Sequence, residues 1–328
     1  MRITVYVIKK LLRLMILLFA VSFLTFLLIS MSPIDPVRAY VGADMLLISP
    51  EQRQALEEYW GLNESFLIQY FHWISSLLQG DFGTSLLYRV PVMDVIADRF
   101  FSSIILISIA WLASGLLGVT LGSLAAMRKD SAIDKWIKGY CYLLLSTPTF
   151  WLALLFVMIF SVWLPVFPSG LSAPIGVLAE EVSFTDRVYH AILPALTLSI
   201  IGVANVCLHT REKLLEVLDT PYILQARANG YRGSRLFFQH GLRNMLLPAI
   251  SVHFASFGEL FGGTIVAEQI FSYPGLGEAV VEAGVNSDIP LLLAIVLISA
   301  VFVFIGNWLA DMLYYLLDPR LRKGRDFS

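Results

Sequence analysis

The residue with the clearest potential for chemistry is Glu259, the only acid in the otherwise uncharged apolar stretch 244–267. A charged side chain inside a membrane span is energetically unfavourable and usually faces the interior of a helix bundle or a water-filled cavity. Glu259 is therefore expected either to line a path for a cationic cargo, beside the small residues Gly258 and Gly262, or to make a hydrogen bond that fixes helix packing. His253 lies about 120° from Glu259 around the helix, so these two side chains are not expected to share a metal ion.

Other residues that could act in catalysis or bind a metal do not form a recognisable pattern. The two cysteines, Cys141 and Cys207, fall in separate apolar stretches without metal-ligand spacing. The sequence contains neither a His-Glu-x-x-His metal-binding motif nor the Gly-x-x-x-x-Gly-Lys-Ser/Thr phosphate-binding loop. We therefore expect a protein that is not itself an enzyme, with no catalytic residue, no metal site and no cofactor of its own.

A basic segment at 211–243 carries a second pattern with functional potential. Thr220 is a predicted helix cap with Pro221 at the first helical position, and this helix is expected to end near Gly230 in a left-handed turn. A second short helix, 234–243, would lead into the next apolar stretch. Two short helices joined by a glycine turn are suited to docking with another protein. A segment that only lies on anionic lipid headgroups would explain the basic residues but not the capped helix.

These groups must be positioned by membrane-spanning helices. Apolar residues make up 57% of the 328-residue chain and charged residues only 15%, against roughly a quarter charged in soluble domains. About 20 apolar residues are enough to span a bilayer as a helix. Six stretches meet this requirement: 14–34, 100–127, 139–163, 188–210, 244–267 and 289–317. The expected fold is an all-α integral membrane protein with six transmembrane helices.

The distribution of basic residues predicts the orientation of these helices. If the N-terminus is cytoplasmic, 18 of the 23 Lys and Arg residues lie in cytoplasmic segments, which is the excess that such segments normally carry. Both termini are therefore expected in the cytoplasm. The expected organisation is a cytoplasmic N-terminus (1–13), a first transmembrane helix (14–34), a periplasmic or outer segment (35–99), a five-helix core that includes the cytoplasmic 211–243 loop (100–317) and a cytoplasmic tail (318–328).

Local patterns predict how some of these parts pack. In the outer segment, Ser49 and Pro50 are expected to begin a helix that ends at Gly61. The aromatic-rich amphipathic stretch 66–78 is expected to lie against the membrane surface. Small residues three or four positions apart allow membrane helices to approach closely, and the second apolar stretch has such a series in Gly115, Gly118, Gly122 and Ala126.

The basic segment also resembles a known family. Residues 222–230, with Arg243 and Pro248 downstream, are similar to the permease signature of binding-protein-dependent ABC importers, and most similar to the peptide/nickel group of that family. In that group an Ala and a Gly four residues apart are followed 18 residues later by a Pro at the start of the next span. Ala226, Gly230 and Pro248 match this pattern in type and spacing.

The resemblance extends over most of the chain, from about residue 5 to residue 322. The Glu that begins the generic importer signature is absent, because Leu224-Gln225 precede Ala226. Further stretches that are similar to the family are 59–63, 80–85, 146–152, 268–277 and 317–320.

The resemblance implies a type I ABC importer permease of the bacterial inner membrane. Its implied partners are a second homologous permease, two cytoplasmic ATPase subunits, an outer solute-binding protein and the lipid bilayer, without nucleic acid. The resemblance also implies that ATP and Mg are bound by the ATPase subunits and not by this chain. The implied ATPase-coupling residues are Pro221, Tyr222, Ala226, Arg227, Gly230, Arg235, Arg243 and Pro248.

The cargo is less directly indicated. Residues 150–153 and 258–264 are more similar to nickel-type permeases than to the other members of the group, which implies a nickel or metal-chelate cargo. A dipeptide or oligopeptide cargo is the alternative within the family. A secondary carrier or a channel is the alternative from another class. A carrier usually shows an internal repeat, which this sequence lacks, and a channel would not need the basic docking segment.

Overall fold

The computed structural model describes residues 2–31, 37, 41, 49–59, 61, 63–177 and 181–317 of the chain. These residues are mostly helical and contain no β-strand, only one isolated β-bridge between Thr84 and Pro91. The predicted all-α class is confirmed. The helices are α1 (Arg2–Ser30), α2 (Pro50–Tyr59), α3 (Phe66–Leu78), α4 (Val92–Met127), α5 (Ala132–Leu145), α6 (Thr149–Phe156), α7 (Phe184–Leu218), α8 (Pro221–Ala228), α9 (Gly233–Leu236), α10 (Leu242–Ala255), α11 (Phe257–Ile270), α12 (Leu276–Val285) and α13 (Ile289–Leu317).

Long apolar helices dominate the described part of the chain. Four of them, α1, α4, α7 and α13, are long and apolar enough to cross a membrane. A fifth crossing is present if α5 and α6, which are bent relative to each other, are taken as one span. These five correspond in position to the first, second, third, fourth and sixth apolar stretches of the sequence.

The third apolar stretch, 139–163, which the sequence predicts as one span, is bent. The helix Ala132–Leu145 and the helical segment Thr149–Trp163 are bent by 103° at the break between them. The hydroxyls of Ser146 and Thr147 donate to the carbonyl oxygens of Tyr142 and Leu143, at 2.9 and 2.7 Å. Pro148, which has no N–H to continue the helix, is extended (φ −62°, ψ 137°). After α6 the chain continues as a π-helical segment, Val157–Trp163.

The fifth apolar stretch, 244–267, is divided between two helices. The helix that leads into it begins at Gly233 and passes through a π-helical segment, Phe237–Gly241, into α10. The backbone at Pro248 is therefore in the interior of a helix, whereas the family pattern predicted a Pro at the start of a span. Ser256 separates α10 from α11 (Phe257–Ile270).

The chain forms two compact units. The first comprises Met1–Phe101 and Gly275–Phe304, so it includes α1, α2, α3, α12 and the first parts of α4 and α13. In its core, Phe26 of α1, Tyr70 of α3 and Leu293 of α13 are buried together.

The second unit comprises Ser102–Pro274 and Ile305–Ser328. Within it α7 packs against α5, α6, α10 and α11. Side chains of α4, α6, α7 and α11 form its largest apolar core, which contains Leu106, Ala153, Leu193 and Ala267.

The small residues of α4 lie at close helix contacts in this second unit. A Cβ atom built on Gly118 would lie 2.6 Å from the Cβ of Val206, and one built on Gly122 would lie 2.4 Å from the carbonyl oxygen of Cys207. Both neighbours belong to α7. The close approach that the sequence predicts from these glycines is confirmed.

Candidate functional site

Residues 221–243 of the basic segment form the predicted docking element. It begins with α8, directly after α7. Thr220 has an extended backbone (φ −75°, ψ 150°) and Pro221 lies in the first turn of the helix. The sequence predicted that the Thr220 side chain caps α8, and this prediction is wrong. The Thr220 hydroxyl instead donates to the carbonyl oxygen of Val217 at 2.5 Å. This bond ties the turn back to the end of α7. Gly230 follows α8 with a φ of +89°, the left-handed conformation that glycine adopts without strain.

One face of α8 is buried within the chain. Ile223 and Ala226 lie in an apolar cluster with Leu236, and Val217 and Leu218 at the end of α7 pack against this cluster. Only 6% of Ala226 is exposed. Ala226 therefore shapes the element from inside, and its methyl group is not available for contact with a partner.

The rest of the surface of α8 is exposed and combines apolar with basic groups. Tyr222, Leu224 and Arg227 are all exposed there. Next to them is an open cavity with a volume of about 400 Å³. Its lining includes Arg227, Arg232 and Tyr231. Such a surface can bind a protein that presents apolar and acidic groups.

Aromatic contacts hold the rest of the element together. The guanidinium of Arg235 lies 5.9 Å from the ring centroid of Tyr231, and the ring of Tyr231 lies 4.8 Å from that of His240. The side-chain amide of Asn244 donates to the hydroxyl of Tyr222 at 2.7 Å, which joins α8 to α10. The side chains of two further predicted coupling residues, Arg243 and Pro248, lie outside the described part of the structure.

The candidate path residues lie on one exposed stripe of α11. Glu259, Gly262, Val266 and Gln269 are exposed and are spaced by three, four and three residues, which places them on one face of the helix. A Cβ atom built on Gly262 would meet nothing within 4 Å. We call this face the α11 stripe. Gly258 is half-buried and lies next to it.

Glu259 is not used for packing within the described part of the chain. Its carboxylate makes no hydrogen bond or ion pair with any residue that the structure describes, and its side chain is exposed. Of the two roles that the sequence left open, the hydrogen bond that fixes helix packing therefore has no partner among those residues.

A second acid of α11, Glu268, behaves differently and was not singled out from the sequence. Glu268 is fully buried and accepts a hydrogen bond from the hydroxyl of Ser103 in α4 at 2.7 Å. Nearby, the Tyr273 hydroxyl donates to the carbonyl oxygen of Ser102 at 3.3 Å. Glu268 thus fixes α11 to α4. Two features of the sequence pointed to it: its position directly after the apolar stretch 244–267 and its place at the start of the family-similar stretch 268–277.

Sequence reasoning also missed a polar cluster in the first unit. Asp288 is fully buried and accepts hydrogen bonds from the Ser85 hydroxyl, from the Leu87 N–H at 3.0 Å and from the Leu291 N–H at 3.2 Å. The same carboxylate therefore caps α13 and holds the 81–91 loop. Ser85 and Asp288 are about 200 positions apart, so no local pattern could have paired them.

A second set of contacts extends this cluster. The Tyr88 hydroxyl donates to Glu282, while Arg99 donates to Glu278 at 2.6 Å and to the Tyr88 oxygen at 3.0 Å. Burial, followed by the bond to Glu282, raises the pKa of Tyr88 to about 12. Burial also raises the pKa of Glu278, and Arg99 opposes that shift. Tyr88 is therefore protonated at neutral pH and can donate and accept at once.

The remaining candidate side chains are buried among other groups. The rings of His253 and Trp111 are stacked with centroids 4.3 Å apart, and Cys141 and Cys207 are buried free thiols. Within the described ranges, no group of three or more His, Cys, Asp and Glu side chains is arranged to hold a metal ion.

The chain matches two family models that together cover most of its length. Residues 118–323 match the binding-protein-dependent transport system inner membrane component. Residues 3–107 match the N-terminal part of binding-protein-dependent transport system membrane components.

Three curated relatives are similar over nearly their whole length. The oligopeptide transport system permease protein AppB of Bacillus subtilis (strain 168) is 36% identical over 96% of this chain and 98% of the relative. The dipeptide transport system permease protein DppB of Escherichia coli (strain K12) is 34% identical over 92% and 94%. The glutathione transport system permease protein GsiC of Escherichia coli (strain K12) is 34% identical over 97% and 98%.

Proposed function

Because the chain belongs to the family of binding-protein-dependent transport system inner membrane components, we propose that it forms half of the translocation path of an ABC importer for peptides. The observation that carries this proposal is the docking element at one end of α7, combined with the exposed α11 stripe on a helix that packs against α7. ATP is bound by partner subunits, and this chain supplies the membrane path.

A peptide cargo is favoured over nickel by the relatives. The three described above are named for the transport of oligopeptides, dipeptides and glutathione, which is itself a short peptide. The likeness of 150–153 and 258–264 to nickel-type permeases covers far fewer residues than these full-length similarities.

The exposed face of α8 is the proposed contact with an ATPase subunit. Tyr222, Leu224 and Arg227 would enter a groove of the ATPase, as short helices with an apolar face commonly do. Arg232 and Arg235 would add attraction to acidic groups at the rim. Ala226 and Gly230 would act indirectly, by setting the shape of the element.

The packing within the second unit offers a route from the docking element to the path. Val217 and Leu218 of α7 pack against the apolar cluster of Ile223, Ala226 and Leu236. A neighbouring cluster joins Leu214 of α7 to Phe237 and Met245. The same helix α7 packs against α10 and α11. Closure of the ATPases on ATP would bias one of two packed arrangements, which is how a ligand shifts such an equilibrium.

The α11 stripe is the proposed lining of the path, completed by a second, homologous permease. A peptide carries an α-ammonium group, and the exposed carboxylate of Glu259 can pair with it by a charge-assisted hydrogen bond. Gly262 leaves space beside that carboxylate. Glu259 would then contact the amino end of the cargo as it passes.

The orientation is proposed from the basic residues. The 211–243 segment and both termini would be cytoplasmic, where the ATPases are, and 35–99 would face the solute-binding protein on the outer side.

The test is to purify the tagged chain from membranes, identify the co-purifying subunits, and measure ATPase activity and peptide uptake in proteoliposomes. We expect two ATPase chains, a second permease, and ATP-dependent uptake that unlabelled peptide competes and nickel salt does not. Leu224→Asp should abolish ATPase binding. Gln225→Asp adds the same charge at the neighbouring exposed position, so it tests whether any added acid abolishes ATPase binding. A chain that purifies alone and transports under an ion gradient would instead be a secondary carrier or channel.

A further inference from the structure

We propose that α3 (Phe66–Leu78) is embedded in the lipid leaflet at the carboxyl-terminal end of α1, with Leu67, Phe71 and Leu78 against the acyl chains. We call these three residues the α3 stripe. The proposal concerns a helix outside the docking element and the α11 stripe. It depends only on α1 being a membrane span, and not on the cargo or the ATPases.

The depth of α3 follows from its contacts with α1. Tyr70 is almost completely buried, and its hydroxyl is 2.8 Å from the hydroxyl of Ser22. Its ring lies 5.4 Å from the rings of both Phe23 and Phe26. Ser22 is eight residues before Ser30, the last residue of α1, so this contact is about 12 Å inward from the end of the helix at 1.5 Å per residue.

That depth lies inside the apolar part of the span. After Arg13 the next charged residue in the sequence is Asp35, so the apolar stretch extends to the end of α1 and beyond. Helices that lie in the membrane interface bury their apolar face about 5–10 Å deep. With the end of α1 at the membrane surface, the α1 contacts place Tyr70 at or below that level, deeper than the surface position that the sequence predicts.

The faces of α3 are divided in the way this placement requires. The α3 stripe, at intervals of four and seven residues, flanks the buried face around Tyr70. Phe71 is 62% exposed and Leu78 is 80% exposed. The opposite side carries the exposed polar residues His72 and Ser75, together with one exposed apolar residue, Ile68. The helix would therefore turn its polar side to water while the stripe contacts lipid.

Length and charge separate α3 from its neighbour α2. The 13 residues of α3 contain no Asp, Glu, Lys or Arg, whereas the 10 residues of α2 contain Glu51, Arg53, Glu57 and Glu58. Thirteen helical residues span about 20 Å, which is too short to cross a hydrocarbon core of about 30 Å. An uncharged helix of this length can be held within one leaflet.

Lipid is a better fit to the α3 stripe than a second protein. Helices that associate within membranes use small residues and interhelical hydrogen bonds, and the stripe offers neither. At similar levels, α1 exposes the large apolar side chains of Leu24 and Leu28. These groups and the stripe would form a surface that acyl chains can cover.

The experiment measures the surroundings of nitroxide labels on this chain, reconstituted in proteoliposomes together with whatever subunits co-purify with it. Single-cysteine variants Phe71→Cys and Leu67→Cys place the label on the stripe. His72→Cys on the polar side and Gln54→Cys on α2 are the matched controls. Both native cysteines are buried, and the wild-type chain measures background labelling. Collisions with O₂, which concentrates in lipid, are compared with collisions with water-soluble chromium oxalate.

We expect the ratio of O₂ to chromium oxalate collisions to be several-fold higher at positions 71 and 67 than at positions 72 and 54. Access of chromium oxalate to position 71 equal to that at position 54 would place the stripe in water and overturn the proposal. Protection of positions 71 and 67 from both reagents would also overturn it, because the stripe would then be covered by another protein.

Discussion

Asp134 of α5 accepts two hydrogen bonds from the guanidinium of Arg211 in α7, at 2.6 and 2.8 Å. Asp134 has no exposed surface and also accepts from the Asp130 N–H at 2.9 Å. Lys138 lies 3.6 Å from the same carboxylate. This pair is therefore a buried, two-pronged connection between α5 and the end of α7 that continues into the docking element.

Removing the charge of Asp134 should destabilise the second unit strongly. Asp134→Asn leaves the Arg211 guanidinium partly buried without its counter-charge, which typically costs about 3–5 kcal/mol. We expect a lower midpoint of thermal unfolding in detergent. Lys213→Ala is the control, because Lys213 and Glu216 form an exposed pair at 2.9 Å, and such pairs contribute about 0–1 kcal/mol. Equal shifts in the two variants would show that burial of the Asp134 pair is unimportant.

The contact between α4 and α7 gives a second prediction. Substitution by alanine should destabilise the protein at Gly122 but not at Gly139. Gly122→Ala would place a methyl group 2.4 Å from the carbonyl oxygen of Cys207, and such overpacking costs about 1–3 kcal/mol. Gly139→Ala in α5 meets nothing within 4 Å and should be neutral, or stabilising by up to about 1 kcal/mol from helix propensity. Thermal unfolding of both variants checks this. Destabilisation by Gly139→Ala alone would contradict the packing.

Several of these features follow from sequence for a clear physical reason. Uncharged stretches such as 289–317 become long helices because backbone groups in lipid must bond internally. Gly122 and Gly230 were recognised because only a missing side chain allows the close approach at the first and the left-handed turn at the second.

Other features depend on relationships that a single sequence does not carry. The 103° bend after α5 depends on the adjacent residues Ser146, Thr147 and Pro148, each of which would be tolerated in a straight span. The inward position of Ala226 depends on which side of α8 packs on α7. Pairs such as Asp134 with Arg211 and Ser85 with Asp288 join distant positions whose register is set only by the folded helices.

The left-handed turn after α8 predicts a graded effect on transport. Gly230→Val forces a β-branched side chain into a φ of +89°, which costs about 1–3 kcal/mol locally. The turn would then shift the exposed face of α8, so we expect normal membrane insertion but loss of ATP-driven peptide uptake. Gly230→Asn should retain more uptake, because Asn tolerates the left-handed region better than Val. Normal uptake by Gly230→Val would exclude a coupling role for this turn.

The hydroxyl of Tyr88 predicts a pH effect on the stability of the first unit. A tyrosine in the unfolded chain has a pKa of about 10, whereas burial and the bond to Glu282 raise the pKa of Tyr88 to about 12 in the folded protein. Unfolding therefore releases a proton between pH 10 and pH 12. The stabilising contribution of Tyr88 is fully present below pH 10 and is lost as the pH rises through this window.

The measurement is the difference in unfolding temperature between the wild-type chain and Tyr88→Phe. We expect this difference to shrink from about pH 9 to about pH 11. Tyr189→Phe, which removes a hydroxyl that donates to the carbonyl oxygen of Val166, controls for loss of a phenolic hydrogen bond without a carboxylate acceptor. A Tyr88→Phe difference that stays constant over the range would contradict the raised pKa of Tyr88.

Substitution by glutamine should have different effects at the two acids of α11: it should reduce peptide uptake at Glu259 and lower the unfolding temperature at Glu268. Glu259 is exposed on the α11 stripe, so Glu259→Gln should leave the unfolding temperature unchanged. It should reduce uptake of a peptide with a free amino terminus by about 10- to 100-fold, since a hydrogen bond to a charged group contributes about 1.5–3 kcal/mol. Glu268 is buried and bonded to Ser103, so Glu268→Gln should lower the unfolding temperature.

An amino-acetylated peptide separates the proposed pairing from a general loss of function. Its α-amino group is uncharged, so uptake of this peptide should respond little to Glu259→Gln if the carboxylate pairs with the ammonium group of the cargo. An equal loss for both peptides would mean that Glu259 acts on the path itself, for example through a contact with the second permease. Normal uptake of both peptides would remove Glu259 from the path, and poor membrane insertion would assign it to helix packing after all.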